Sequence, residues 1–129
     1  MRVSYGVMAH GHTDIDRLLE DAGYARAAAE SIQALATPSR LRILARLHGG
    51  AASVNELAEA MSMEPSAVSH QLRLLRHLGL VVGERTGRQV VYELHDDHVG
   101  ELLTQAVAHV EHVRLALSGR GDASRTAVA

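Results

Sequence analysis

The sequence predicts a mainly α chain carrying one β-hairpin, an α+β fold in which helices form the body and both ends. Three observations predict it. Apolar residues recur at three- and four-residue steps through most of residues 14 to 117. One stretch, residues 81 to 94, switches to β-branched runs on either side of a Thr-Gly turn. The 47% of residues that are apolar include no Phe, no Trp and only three Tyr, so the core must be Leu, Val, Ala and Ile, which favours helices.

At 129 residues the chain is expected to be one domain, with a modest core that gains from dimerisation. It contains no Cys, which excludes disulfides, thiolate metal sites and cysteine nucleophiles and fits a reducing cytoplasm. No apolar run approaches the roughly 18 residues of a membrane span, and MRVSYGVMAHGH lacks the apolar block of a signal peptide. The expectation is a cytoplasmic protein with no membrane partner. A net charge of -2 argues against a protein that coats nucleic acid indiscriminately. Locally the balance differs: every basic residue is Arg, and from Pro65 to Leu94 there are Arg73, Arg76, Arg85 and Arg88 against only Glu84 and Glu93. A nucleic-acid footprint would be confined there.

Residues 1 to 13 read as a flexible segment carrying His10 and His12. A start at Met8 would place a free amino group beside Ala9 and His10, a cluster able to add nitrogen ligands to a nearby metal. Asp14 to Leu35 is helical by pattern, with a break expected near Gly23. Thr37 caps the next helix, which has Pro38 at its first position, Leu41, Ile43, Leu44 and Leu47 on its apolar stripe, and Gly49-Gly50 at its end.

Ser53 to Met61 carries a capping box, Ser53 with Glu56 three residues on. After a break at Ser62 to Glu64, Pro65 opens a helix that turns Val68, Leu72, Leu75 and Leu78 inward and stops at Gly79. Two helices joined so closely form a helix-turn-helix. On the second, Ser66, Ser69, His70 and Arg73 lie on or beside one outward stripe. Small hydroxyls with Arg suit phosphate and base-edge contacts in a major groove, though a solvated face would look the same. The strands Val81 to Glu84 and Gln89 to Leu94 follow, flanking a Thr86-Gly87 turn with Arg85 and Arg88 at the tip. An Arg-tipped hairpin directly after a helix-turn-helix is the layout of a winged helix.

Asp96 to Leu117 reads as one long helix, with Leu102, Leu103, Ala106, Val110, Val113 and Leu117 on its apolar stripe. Asp96 and His98 stand at its start, His109 and His112 near its end. Eleven steps from His98 to His109 turn the helix through three turns and roughly 20°, so the two share a face, yet they lie about 16 Å apart along the axis. One helix cannot bring them to one ion. A second copy laid antiparallel would, making two equivalent sites of one carboxylate and three imidazoles. That set suits a borderline divalent metal such as zinc, nickel or cobalt. Residues 118 to 129 are small and polar and read as a disordered tail.

The motifs ALATPSRLRIL (residues 34 to 44), VNELAEAM, PSAVSHQLRLLRHLGLV (65 to 81) and GERTGRQVVYEL, with the spacing of Asp96, His98, His109 and His112, resemble the ArsR/SmtB family of metal-responsive repressors. The resemblance spans about residues 30 to 117 and is closest to the actinobacterial nickel/cobalt sensors. It implies a winged helix-turn-helix over residues 14 to 117 that dimerises through its N- and C-terminal helices. It further implies an apo homodimer that holds double-stranded operator DNA and releases it when metal fills paired interhelical sites. Ser66, Ser69, His70 and Arg73 would face DNA from the recognition helix, Arg85 and Arg88 from the wing. Asp96, His98, His109 and His112 would bind metal. The nickel/cobalt sensors carry further histidines at the end of the last helix, where this chain has Arg114 and no His after His112; extra ligands would come from His10 or His12, and without them zinc is at least as apt.

An alternative is a regulator of the same fold that senses no metal. An enzyme is not expected: His109-Val-Glu-His112 is not the HExxH arrangement, no Ser/His/Asp set or phosphate-cradling Gly loop is present, and no small-molecule substrate is implied.

Overall fold

The computed structural model describes residues 14 to 128, with side chains to 119. It divides between Thr37 and Pro38 into two compact units. The first holds α1 (Asp14–Glu20) and α2 (Ala22–Gln33). The expected break falls at Asp21, not Gly23. Asp21 leaves helical geometry (φ -127, ψ 101) and its side chain accepts the Tyr24 N–H at 3.0 Å, capping α2. A short polar side chain that can satisfy a free helical N–H decides the boundary, and Gly23 is carried inside α2. The Arg17 guanidinium lies 4.1 Å from the centre of the Tyr24 ring, bridging the same corner.

The second unit runs α3 (Pro38–His48), β1 (Ala52–Ser53), α4 (Val54–Met61), α5 (Pro65–His77), β2 (Val81–Thr86), β3 (Gln89–Leu94) and α6 (Asp97–Val128). Its core gathers one apolar side from each helix. Ile43 and Leu44 of α3, Leu57 of α4, and Val68, Leu72 and Leu75 of α5 are fully buried with Val81 of β2. Each such aliphatic side chain contributes roughly 1.5 to 3 kcal/mol over its exposed state. Val99 and Leu103 attach the first two turns of α6 to this core. Leu78, expected inward, is half-buried.

The helix-turn-helix forms as its caps dictate. Ser53 Oγ accepts the Glu56 N–H at 3.2 Å, and Glu56 Oε1 accepts the Ser53 N–H at 2.9 Å. Those bonds hold the Glu56 carboxyl below the usual carboxylate range, the backbone bond from Ser53 chief among them. Ser62 ends α4 in the left-handed region (φ 53, ψ 47), which turns the chain into α5 within three residues. The end of α5 is closed by Leu80 N–H to Leu75 C=O (2.9 Å) and Gly79 N–H to Arg76 C=O (3.0 Å), a Schellman pair that aims β2 back along the helix.

The hairpin register pairs Val81 with Leu94 and Thr86 with Gln89, so the loop residues are Gly87 and Arg88 rather than Thr86 and Gly87. Gly87 has φ +66, and Arg88 is not among the described residues of positive φ, as a type II′ turn with Gly first requires. β1 joins β3 as an outer strand, Ala52 opposite Tyr92 and Ser53 opposite Val91. The resulting sheet order is β1-β3-β2.

The last helix exceeds expectation. It continues through Gly119 and Gly121 to Val128, where a disordered tail was expected beyond Leu117. No Pro interrupts that stretch, and Gly lowers helix stability by only about 1 kcal/mol relative to Ala without forbidding the conformation.

Candidate DNA interface and metal half-sites

Two groups of residues stand out, one basic and one rich in metal-ligating side chains. On α5, Ser66, His70 and Arg73 are exposed and Ser69 is half-buried. Ser66, His70, Arg73 and His77 follow one another at four, three and four residues, so they form one stripe along the helix. His77 is an addition to the residues expected from sequence, although its spacing from Arg73 announces it. His70, Arg73, Leu74 and His77 border a shallow hollow of about 300 Å³.

The wing stands beside that stripe. Arg85, paired with Val90 across the hairpin, and Arg88, in the loop, are both exposed. A cavity of about 300 Å³ lies where α5 and the hairpin approach, with Ser69 and Arg88 both on its wall. Helix and hairpin thus present donors to one space. A surface of hydroxyl, imidazole and guanidinium groups fits the edge and backbone of a duplex.

The second group sits on α6. Asp96 caps the helix, its Oδ1 accepting the Val99 N–H at 3.2 Å. The same oxygen lies 3.5 Å from His98 Nδ1, while Oδ2 lies 3.1 Å from His95 Nδ1. His95 is likewise new to the site, its only signal in the sequence being its place next to Asp96. Its hydrogen bond is the main reason the Asp96 carboxyl is held below the usual carboxylate range, with the Val99 N–H and the nearby His98 acting the same way and partial burial opposing them. The His98 side chain is 89% exposed, leaving its ring open to an outside partner.

His109 and His112 project from the same helix one turn apart, both exposed. Nothing among the described residues folds back to join them to Asp96 and His98. Among those residues no group of three or more His, Cys, Asp or Glu side chains could hold a metal ion. What one chain offers is two separate pairs of donor side chains, Asp96 with His98 and His109 with His112. Their chemistry, a carboxylate oxygen and imidazole nitrogens without any thiolate, is of the type that fits a borderline divalent cation. His10 and His12 lie outside the described residues.

Gly100, in the first turn of α6, is buried under the ring of His48 at the end of α3. A β-carbon placed there would lie 2.8 Å from His48 Nδ1 and 3.0 Å from Cε1. A helix-interior glycine lowers stability, so the close ring accounts for it. His48 and Gly100 border a cavity of about 520 Å³ that also takes in Glu93, His95, Asp96 and Asp97, an acidic wall unlike the basic one below the wing.

Comparison with known proteins gives the same outline. The protein-family model for a helix-turn-helix domain matches residues 35–84. The chain is 58% identical over 100 residues to the HTH-type transcriptional regulator NmtR of Mycobacterium tuberculosis (strain ATCC 25618 / H37Rv), a match covering 78% of this chain and 83% of that protein. It is 47% identical over 83 residues to a transcriptional repressor SmtB homolog of Synechocystis sp., covering 64% of this chain and 63% of the relative. A solution structure of apo-NmtR aligns with TM-score 0.63 at 59% identity, over 71% of this chain and 77% of that one. The homodimeric winged helix-turn-helix DNA-binding domain of a possible ArsR-family regulator from Mycobacterium bovis aligns with TM-score 0.66 at 29% identity, over 70% of this chain and 83% of that one.

Proposed function

The chain belongs to the ArsR/SmtB family of metal-responsive, DNA-binding transcriptional repressors, and on that premise we propose that it acts as a homodimer which holds operator DNA until a divalent metal joins its terminal helices. The observation that carries this reading is the split ligand set. Asp96 and His98 stand together at one end of α6, His109 and His112 lie further along it, and the helix between them is continuous, held to the core by Val99 and Leu103 and exposed from Thr104 onward. An antiparallel second copy brings the Asp96/His98 end of one chain to the His109/His112 turn of the other.

The outer face of α6 supports such a pairing. Leu102, Val110, Val113 and Leu117 are 38 to 59% exposed, a stripe of aliphatic side chains along one side of the helix that a single chain leaves in water. Covering them against a second α6 would contribute the usual gain of apolar burial. The homodimeric relative supports it too.

A bound divalent cation would supply a Lewis acid, held by the Asp96 carboxylate and the His98, His109 and His112 imidazoles drawn from the two chains. The chain does the rest. Asp96 would offer the shared site the oxygen that contacts His95 while its other oxygen keeps the Val99 cap, so a bound ion would bear on the first turn of α6. Val99 and Leu103 anchor that turn in the core that also carries α5. Fixing the angle between two copies of α6 therefore fixes the spacing of two recognition helices, which must meet major grooves about 34 Å apart. Release follows when the bridged spacing and the groove spacing differ. The coupling is reciprocal: operator DNA must lower metal affinity by the same factor.

With four donors the site suits tetrahedral zinc; nitrogen ligands from His10 or His12 would shift it toward nickel or cobalt. The test uses an operator selected from random duplexes and titrates its complex with zinc, nickel and cobalt, for the full chain and for a chain beginning after His12. Release by metal in the full chain, with altered metal preference in the shortened one, is the expected result. A complex that no metal dissociates overturns the reading.

A further inference from the structure

The cavity between recognition helix and wing has features that DNA contacts by Ser69 and Arg88 alone do not use. Its wall is drawn from three places: Asn55 at the start of α4, Ser69 in the middle of α5, and Arg88 and Gln89 at the wing's loop, with Tyr92 and Val90 behind them. No carboxylate borders it. Glu56, the nearest acidic residue along α4, is turned to the Ser53 N–H, which it holds at 2.9 Å. A hollow lined by one guanidinium, two side-chain amides and the hydroxyl-bearing Ser53, Ser69 and Tyr92, with no negative charge, is matched to an anionic oxygen ligand rather than a cation.

We propose that this cavity seats one backbone phosphate of the bound duplex, with the Asn55 and Gln89 side-chain amides donating to its free oxygens beside Arg88 and the Ser69 hydroxyl. This deepens the function proposed above and rests on it. The location selects a phosphodiester over a free anion. The space opens between the two elements that lie along DNA, and its roughly 300 Å³ exceeds a lone phosphate, leaving room for the sugars on either side. Donors from α4, α5 and β3 converging on one phosphate also set the register of the recognition helix, because three elements cannot shift together without losing it. Asn55 thus acts as a positioning residue that ties the first helix of the helix-turn-helix to the strand it does not read.

The proposal separates from its parent reading by experiment. Apo protein is titrated against a selected operator and against a random duplex of equal length, for the wild type and for Asn55→Ala, Gln89→Ala and Arg88→Ala. Asn55 and Gln89 are exposed, and Gln89 holds its place in the ladder through its backbone, so the variants should melt as the wild type does. Neutral amide donors to a phosphate predict a loss of about tenfold for each alanine, the same factor on both duplexes, with the salt slope unchanged. Arg88→Ala predicts the same uniform loss together with a slope lower by about 0.9 for each phosphate the guanidinium neutralises. Asn55→Asp and Gln89→Glu, equal in size but negative, should lose more than the alanines. Inorganic phosphate at millimolar levels should leave the wild-type operator affinity unchanged apart from its ionic strength; specific competition by it would make the cavity a free-anion site and overturn the proposal. Wild-type affinity in both amide variants would overturn it, as would a loss confined to the operator, which marks a base contact. Failure of the wild type to bind any duplex would refute the regulator itself.

Discussion

Replacing Gly100 with Ala probes the seam by which α6 is attached to the rest of its unit. The new β-carbon would stand 2.8 Å from His48 Nδ1 and 3.0 Å from Cε1, against ordinary contact at 3.4 Å or more, so the ring has to retreat by at least 0.6 Å. Two opposing effects follow. Ala favours a helix interior over Gly by about 1 kcal/mol. His48 is exposed, so forcing its ring aside costs about 1 kcal/mol where it can swing toward solvent and up to about 3 kcal/mol where its contacts hold it as in a core. Gly100→Ala alone should therefore leave stability unchanged or lower it by up to about 2 kcal/mol, the difference between those two effects. In a His48→Ala background the ring is gone, and the same change should raise stability by about 1 kcal/mol. The double-mutant cycle thus expects a coupling of about 1 to 3 kcal/mol. Urea unfolding followed by far-UV circular dichroism measures it, at one fixed protein concentration because a dimer's stability depends on concentration. Equal stabilisation by Gly100→Ala in both backgrounds would show that the ring moves freely, and the close approach would no longer explain the glycine.

Leu72, fully buried at the centre of α5, should cost about 2 to 5 kcal/mol when cut to Ala, read as a lower urea midpoint with unchanged slope; a loss under about 1 kcal/mol would place the core elsewhere. Ser53→Ala removes one half of the capping box and should cost about 1 kcal/mol in the same assay. Because the folded chain holds the Glu56 and Asp96 carboxyls below their usual values, each contributes stability present above the unfolded pKa and lost as pH falls through the folded one. Stability should therefore drop on acidification below the ordinary carboxylate range, and less steeply in a Glu56→Gln variant; an identical acid profile would contradict the cap's role. Arg85→Ala combined with Arg88→Ala should weaken DNA binding and flatten its salt dependence, by roughly 0.9 in slope for each phosphate no longer neutralised. An unchanged slope would remove the wing from the interface.

The parts of this fold that are legible in the sequence are those written in local chemistry. The Ser53/Glu56 box, Pro65 at the start of α5 and Gly79 at its end each name a helix boundary by the backbone groups they satisfy. Boundaries set by competition are harder. Asp21 and Gly23 are both plausible breaks, and the cap that Asp21 gives Tyr24 decides between them. The wing's turn differs by one residue from expectation because cross-strand register, which no single stretch encodes, puts Thr86 opposite Gln89. β1 is hidden for a related reason: Ala52 and Ser53 form a strand only because Tyr92 and Val91 lie opposite them. At the site, helical spacing places His98 and His109 on one face. The contacts of His95 with Asp96 and of His48 with Gly100 need three dimensions, since the first depends on a cap's orientation and the second on two distant helices. The same limit hides Asn55, whose neighbours across the cavity come from two other elements.

The most direct test of the central claim mixes two inactive chains. His98→Ala and His109→Ala homodimers should each bind DNA normally and fail to release it with metal, since each lacks a donor in both interhelical sites. In a mixed dimer the two lesions fall on the same site and leave the other whole. Equilibrium dialysis on the purified mixed dimer should then find one tight metal ion where each parent finds none, with metal-induced release partly restored. A mixed dimer as empty as its parents would contradict a site shared between two copies of the terminal helix.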